Sequence, residues 1–277
     1  MTVLVTGASG QLGHGLRPLL PGAVFTDVRA GDGVVALDIT DPAAVEAFDW
    51  SGVTAIVNGA AWTQVDAAED ADRLPLVWAV NATGVALLAA QARRLDVPLV
   101  HVSTDYVLRG DHDGDAGPAT PLDPQGAYGI TKAAGELAAR LAPRHWVVRT
   151  SWVFGEGPNF VRTMRRLGAE RDELRVVADQ VGRPTYAVDL AAALVALLDG
   201  GTPYGTVHAT GGGEPVSWAA FAEAVLAATG SACRVVPITT EEYGAPSPRP
   251  ANSALAPVLP LRDWREALAD YLAREGA

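Results

Sequence analysis

The chain has 277 residues, with 21 Lys and Arg against 32 Asp and Glu, so its formal charge is −11 at pH 7. Binding a phosphate backbone takes clustered positive excess, which this acidic chain lacks, so no nucleic-acid partner is expected. With 49% hydrophobic and 19% charged residues it has the material for a large core and too little charge for disorder.

A lone cysteine, Cys233, excludes an internal disulfide, and MTVLVTG opens directly as a strand with no leader pattern, so a cytoplasmic protein is expected. The longest aliphatic stretch, Leu190 to Leu198, is about half of what a membrane helix requires, so no membrane span is expected.

In chain order, short β-branched runs alternate with Ala/Leu-rich segments up to about residue 150, the signature of βαβ units around a parallel sheet. Strands are predicted at Thr2–Thr6, Val24–Asp27, Ala55–Asn58, Leu99–Ser103 and Trp146–Thr150. Helices are predicted at Gln11–Leu20, Pro42–Phe48, Asn81–Leu95 and Tyr128–Leu141, where apolar residues recur at three and four. Beyond residue 150, Gly/Pro-rich connections multiply and the alternation breaks, so a smaller lobe is expected. Its helices are predicted at Phe160–Arg171, Asp189–Leu198, Ser217–Thr229 and Asp263–Arg274, with Ser217 and Asp263 as N-caps. The expected architecture is an α/β Rossmann-type doubly wound parallel sheet over 1–150, with a C-terminal substrate lobe over 151–277 that returns some segments to the first domain.

The first strand runs into Thr6-Gly7-Ala8-Ser9-Gly10-Gln11-Leu12-Gly13. Glycines in a strand-turn-helix connection permit a tight bend and close approach to a pyrophosphate, and the helix amides attract its charge. The candidate cofactor contacts here are Gly7, Gly10, Gln11, Leu12 and Gly13. Asp27 closes the next strand twenty residues after Gly7, where a carboxylate accepts hydrogen bonds from ribose, which favours NADH. Arg29 pulls the other way, toward pairing a 2′-phosphate, or is simply a solvated charge, so NADPH and NADH both stay open. Asp38 and Ile39 either flank the adenine or form the approach to a helix that Asp41-Pro42 caps and starts.

Tyr128 and Lys132 stand four apart, on one face of a predicted helix. A neighbouring ammonium is expected to lower the phenol's pKa from about 10, and the pair then protonates a developing alkoxide while Lys132 holds the nicotinamide ribose. Thr104 follows the strand at the carboxyl end of the sheet, where its hydroxyl can bond a substrate carbonyl oxygen.

These residues resemble the extended short-chain dehydrogenase/reductases and, within them, the dTDP-4-dehydrorhamnose reductases. The resemblance spans nearly the whole chain. It runs through Thr-Gly-Ala-Ser-Gly-Gln-Leu-Gly at 6–13, Asn-Gly-Ala-Ala-Trp-Thr-Gln-Val-Asp at 58–66, Ser-Thr-Asp-Tyr-Val at 103–107 and Tyr-Gly-Ile-Thr-Lys-Ala-Ala-Gly-Glu at 128–136. It continues through Arg-Thr-Ser-Trp-Val-Phe at 149–154, Asn-Phe at 159–160, Asp-Gln-Val-Gly-Arg-Pro-Thr at 179–185 and Arg-Pro-Ala-Asn-Ser at 249–253. It implies a catalytic triad of Thr104, Tyr128 and Lys132, with Ala60, Ala61 and Thr63 lining the cofactor and Asp105, Trp152 and Asn159 near the sugar. It also implies hydride delivery from NADPH or NADH to C4 of a dTDP-4-keto-6-deoxyhexose. Trp152 is expected as an aromatic wall. Arg249, ahead of Arg183 and Arg165, is expected to meet the diphosphate.

Trp62, Leu108 and Ala134 depart from the family pattern, and the first two are expected to reshape the sugar pocket. Some members dimerise through Mg²⁺ held by a Glu in the first helix, but Gly15 stands here, so no metal is expected and monomer or homodimer both remain. The runner-up is a paralogous ketoreductase of antibiotic deoxysugar or aminoglycoside biosynthesis, and a remote alternative is a non-catalytic nucleotide-binding regulatory subunit.

Overall fold

The computed structural model describes residues 2–276. Up to residue 150, strands β1 (Thr2–Thr6), β2 (Val24–Asp27), β3 (Val34–Ala36), β4 (Val53–Asn58), β5 (Leu99–Thr104) and β6 (His145–Thr150) alternate with helices. These are α1 (Gln11–Leu16), α2 (Pro42–Ala47), α3 (Leu74–Trp78), α4 (Gly84–Leu95) and α5 (Ala127–Ala139). Then come β7 (Val153–Phe154), α6 (Phe160–Glu170), β8 (Glu173–Val177), β9 (Val181–Gly182), β10 (Thr185–Tyr186), α7 (Ala187–Leu198) and β11 (Gly205–His208). The chain closes with β12 (Val216–Ser217), α8 (Trp218–Ala228), β13 (Arg234–Ile238), α9 (Thr240–Tyr243) and α10 (Trp264–Arg274).

Seven strands form one parallel sheet in the order β11-β6-β5-β4-β1-β2-β3. The expected doubly wound parallel sheet is therefore present. Its strands read as near-continuous apolar runs because each face is covered: Val3, Val5, Val57 and Val148 pack with Leu190 and Leu194 of α7, and Leu4, Ile56 and Val147 with Leu88 and Ala89 of α4. Fully burying a Leu or Ile contributes roughly 1.5–3 kcal/mol, so these two layers dominate the stability of this half. Residues after 150 return to it, since β11 pairs with β6 and α7 lies against α1. A separate core of Phe154, Phe221, Trp264 and Tyr271 unites α6, α8 and α10.

Some boundaries differ from the expectations. Helix α1 ends at Leu16, four residues early, because Pro18 has no N–H to continue the ladder. The helix predicted from Asn81 begins at Leu74, with Pro75 in its first turn, and passes through a π-turn at Ala79–Thr83. The resulting run, Leu74–Leu95, is 22 residues and apolar enough by length and composition to cross a membrane. It is a sheet-covering helix here, burying Val77, Val85, Leu88, Ala89 and Ala92. Asp41, Ser217 and Asp263 all cap helices as predicted, each accepting from a backbone N–H two or three residues on.

Candidate active site

A cleft of about 860 Å³ opens at the carboxyl end of the sheet and runs from the first glycine turn to the start of α5. Strands β1, β5 and β6 end on it at Thr6, Thr104 and Thr150, and β4 runs into it at Gly59, one residue past its end. Open parallel sheets bind ligands at such a position because crossovers diverge there and leave a crevice.

At one end, Gly7 takes φ +71°, and a Cβ there would lie 2.6 Å from Ala60 N, so only glycine lets this turn cross the β4 connection. Gly10, Gln11 and Leu12 line the cleft, and no side chain caps α1 at Gly10. Gln11 Oε1 is buried without a protein partner beside this turn. Gly13 does not line the cleft: it packs against Ala8, whose carbonyl leaves no space for a Cβ. The Asp27 carboxylate accepts from Ser9 N at 3.0 Å and Val28 N at 2.8 Å, which ties the turn to the end of β2. Arg29 is exposed and outside the cleft lining. Asp38 and Ile39 both line it, with Asp38 accepting from the amide and hydroxyl of Thr40. Ala60, Ala61 and Thr63 line the same end. These features fit a dinucleotide: a glycine cradle that a Cβ would fill, free helix amides and an orphaned amide oxygen.

At the other end, Thr104, Tyr128 and Lys132 come together. Helix α5 starts at Ala127, capped by Gly126, and its i, i+4 spacing carries Tyr128 and Lys132 on the face turned to the cleft. Glycines at 129 and 135 set this helix close to its neighbours: a Cβ at 129 would collide with the Tyr106 carbonyl and one at 135 with the Asn81 carbonyl. Lys132 is 2% exposed and its Nζ donates to Val102 O at 2.7 Å. Burial lowers its pKa from the ordinary 10.5 to about 8, while the Glu136 carboxylate pushes it back up.

The phenol does not follow expectation. Burial raises the Tyr128 pKa above its ordinary value, a hydrogen bond with Thr104 opposes this, and the Asp105 charge adds to it. Loss of solvation outweighs any help from an ammonium that is already bonded to Val102 O. Tyr128 is thus held protonated.

Thr104 Oγ1 donates to Asp105 Oδ1 at 2.9 Å and accepts from Tyr106 N. Asp105 is 3% exposed, and its Oδ2 has no partner in hydrogen-bond geometry. Burial pushes its carboxyl up to about 6, against the Ser253 and Thr104 hydroxyls and its own backbone amide, which hold it down.

Trp152 lines the cleft, but not as a free aromatic face. Its backbone is left-handed at φ +49°, strained for a bulky residue. One face of the indole stacks on Trp218 at 3.6 Å between centroids and 10° between planes. A Cβ on Gly182 would sit 2.8 Å from Cε2 and 3.0 Å from its bonded neighbours Cζ2 and Nε1, which puts Gly182 over the opposite face. Both faces are covered, and an edge is left for the cleft.

Other candidates stand apart from the cleft lining. Asn159 caps α6 by accepting from Arg162 N, and its amide donates to Gly155 O, Gly157 O and Tyr271 Oη. Arg249 pairs with Asp66 at 2.8 Å. Arg183 is buried against Asp115, Gly213 O and Leu255 O, and Arg165 projects from α6. Leu108, expected to shape the pocket, is in a separate apolar cluster with Val107, Ala116, Ala133 and Leu255, whereas Trp62 does line the cleft. Gly15 has α7 directly over it, with a Cβ 2.9 Å from Ala187 O, so no larger side chain fits there.

Sequence reasoning missed Tyr106, Ser151 and Trp218 as lining residues. Tyr106 and Ser151 adjoin residues already singled out, so adjacency was the available signal; Trp218, 66 residues from Trp152, gave none. Among the described residues no group of three or more His, Cys, Asp or Glu side chains is gathered as a metal site would require.

The family described as RmlD substrate binding domain matches residues 1–276. A dTDP-4-dehydrorhamnose reductase of Mycobacterium tuberculosis (strain ATCC 25618 / H37Rv) is 43% identical, covering 98% of this chain and 92% of its own. A crystal structure of a dTDP-4-dehydrorhamnose reductase from Clostridium acetobutylicum superposes with a TM-score of 0.92 at 38% identity, covering 100% of both chains. Another, from Bacillus anthracis in complex with NADP, gives 0.90 at 34% identity over 99% of both. A match over essentially every residue, joined to this cleft, makes the chain a member of the RmlD substrate-binding-domain family, among the extended short-chain dehydrogenase/reductases.

Proposed function

We propose that this protein is an NAD(P)H-dependent reductase of the C4 ketone of a dTDP-4-keto-6-deoxyhexose, with dTDP-4-dehydrorhamnose as substrate and dTDP-L-rhamnose as product. The observation that carries this is the meeting of Thr104, a protonated Tyr128 and a buried Lys132 at the far end of a cleft that begins on a dinucleotide-type glycine turn. The names of the relatives support the substrate, and the NADP bound to the Bacillus anthracis relative supports NADPH. Asp27, at the ribose position, keeps NADH in the assignment.

A reduced nicotinamide supplies the hydride that adds to C4. The rest falls to the chain. Thr104 turns its hydroxyl from Asp105 to the ketone oxygen, and Tyr128 Oη gives that oxygen its proton as negative charge develops. The raised pKa of Tyr128 suits an acid, because the phenol keeps its proton until an alkoxide, a stronger base, arrives. Lys132 holds the ribose and favours the phenolate left behind. Asp105 Oδ2, buried and unpartnered, accepts from a sugar hydroxyl. Trp152 contributes an indole edge to the same end. Residues 1–150 hold the dinucleotide and supply Thr104 and Asp105, the remainder apart from α7 and β11 covers the sugar, and the reaction belongs in the cytoplasm. Asn159 acts by fixing the 155–159 loop and Arg249 reaches the diphosphate by exchanging its Asp66 partner.

Incubation with dTDP-4-dehydrorhamnose and NADPH or NADH should consume the absorbance of the reduced nicotinamide. No oxidation with this sugar, but turnover with another dTDP-ketosugar, would transfer the assignment to a deoxysugar paralogue. No oxidation with any ketosugar would favour a binding role.

A further inference from the structure

Among the described residues, three that are not glycine take the left-handed conformation: Asp32 and Asp96, both exposed, and Trp152 in the cleft lining. Aspartate tolerates that region and a bulky indole does not, so Trp152 persists there only because its surroundings overdetermine it.

Those surroundings grip both the backbone and the ring. Ser151 Oγ donates to Arg183 O at 2.8 Å and Thr185 N donates to Trp152 O at 3.2 Å, so the segment 183–185 holds the chain on both sides of the turn. Strands β9 and β12 pair antiparallel, with Gly182 opposite Val216 and Val181 opposite Ser217. This one ladder carries both covers of the indole: Gly182 is on β9, and Trp218 follows β12 directly as the first residue of α8. Ser217 Oγ accepts from Ala220 N, which fixes the start of α8, and Phe160 lies against Trp218 with ring centroids 4.6 Å apart. With the stack at 3.6 Å and no space for a Cβ on Gly182, the gap fits the indole and nothing thicker. A stack made only for stability needs no strained backbone, and Phe154, Phe160 and Phe221 pack together without one.

We infer that Trp218 and Gly182 are positioning residues that clamp the Trp152 indole so that its edge meets the hexose in a fixed place, which rests on the proposed reading of the cleft as a nucleotide-sugar site. An unclamped indole turns about its two side-chain torsions and must be immobilised each time a sugar binds. The clamp removes that cost in advance, and it does so for the sugar alone, because the dinucleotide turn and the Lys132 end of α5 are separate elements.

The share of binding due to the sugar is read without turnover as the ratio of Kd for dTDP to Kd for dTDP-rhamnose, by titration calorimetry. Trp218→Leu should cut this ratio roughly three- to tenfold, the worth of immobilising one large side chain, with Kd for dTDP and for NADPH within about twofold of wild type. Trp218→Phe, which keeps a ring on the covered face, should hold the ratio within about twofold of wild type. Gly182→Ala presses a methyl on the opposite face and should lower the ratio as Trp218→Leu does, so it decides the matter should Trp218→Leu fail to fold. An unchanged ratio in these variants overturns the inference, as does an equal loss of affinity for dTDP, dTDP-rhamnose and NADPH, the mark of a merely structural role.

A second measurement needs no ligand. The fall in Tm caused by Gly182→Ala should shrink to about half or less in the Trp218→Leu background, where the indole has room to yield, and strictly additive falls would overturn the clamp. Non-additive falls in a protein that binds dTDP-rhamnose no better than dTDP would uphold the clamp and contradict the functional proposal.

Discussion

At the scale of single residues, the site works through burial rather than through a strong charge beside the acid. Tyr128 is kept protonated by loss of solvation, which under the proposed reaction has it give a proton late, to a basic oxygen. Tyr128→Phe should lower kcat roughly 10²–10⁴-fold, the usual worth of a positioned acid, with cofactor affinity within about threefold of wild type. Steady-state kinetics alongside a cofactor titration checks this; a kcat near wild type would remove Tyr128 as the acid. Asp105 gives a pH prediction. Its folded pKa of about 6 exceeds the ordinary 3.8, so the folded state binds its proton more tightly and the carboxyl costs stability as pH rises through about 4 to 6. Asp105→Asn should therefore gain stability relative to wild type above pH 6 and lose that advantage below pH 4, as read from urea midpoints. It should also weaken sugar binding.

At the scale of elements, α5 acts as a rigid rail that two glycines let down onto its neighbours. Gly129→Ala and Gly135→Ala each drive a methyl into a backbone carbonyl, so each should cost about 1–3 kcal/mol or more and shift the Tyr128–Lys132 face. Melting temperature and kcat should fall together. A second element is the strap at 247–249, which clips the C-terminal half to the 66–69 turn: Ser247 Oγ donates to Glu69 and Arg249 to Asp66, while Glu69 also accepts from Ala127 N at the start of α5. Arg249→Ala should raise KM for the nucleotide sugar far more than it lowers kcat, and an unchanged KM would take Arg249 out of diphosphate binding.

What the sequence disclosed at this scale follows from where the determining contacts lie. Strands β1 and β2 match their predicted limits because a strand covered on both faces writes its burial into consecutive residues. Helix α3 was missed because Pro75 resembles a break when it is in fact a first-turn residue. The two-residue strands β7, β9, β10 and β12 exist only through their partners, so no local pattern could announce them. Within the site, the glycine turn, Thr104, Tyr128 and Lys132 lie in contiguous motifs and were legible. The burial that raises the Tyr128 pKa, the covering of both Trp152 faces and the diversion of Asn159 to capping are products of tertiary packing.

At the scale of the whole molecule, an acidic protein places its titratable surprises inside. His101 and His208 are both fully buried, and burial lowers their pKa values, that of His208 to about 4. With an unfolded value near 6.5, the unfolded chain binds more protons between pH 6.5 and 4, so stability should fall as pH falls through that window. For His208 the loss is at most about 3 kcal/mol, from a shift of about 2.5 units. His208→Gln should flatten this acid limb in denaturant titrations at several pH values; an unaltered slope would contradict the assignment.

The net charge of −11 extends into the cleft, whose lining holds Asp27, Asp38, Asp105 and Glu156 against Lys132, so the proposed anionic ligands depend on the uncapped α1 amides and Lys132 at particular points rather than on a positive cleft. The central claim is that this cleft sends hydride to one carbon and a Tyr128 proton to its oxygen. Its most direct test is reduction of dTDP-4-dehydrorhamnose with NADPH deuterated at the transferable C4 position, followed by NMR of the product sugar. One deuterium at C4 of the hexose is predicted, with Tyr128→Phe placing it at the same carbon but forming the product far more slowly. Deuterium at another sugar carbon, or none transferred by the wild-type protein, would contradict the account.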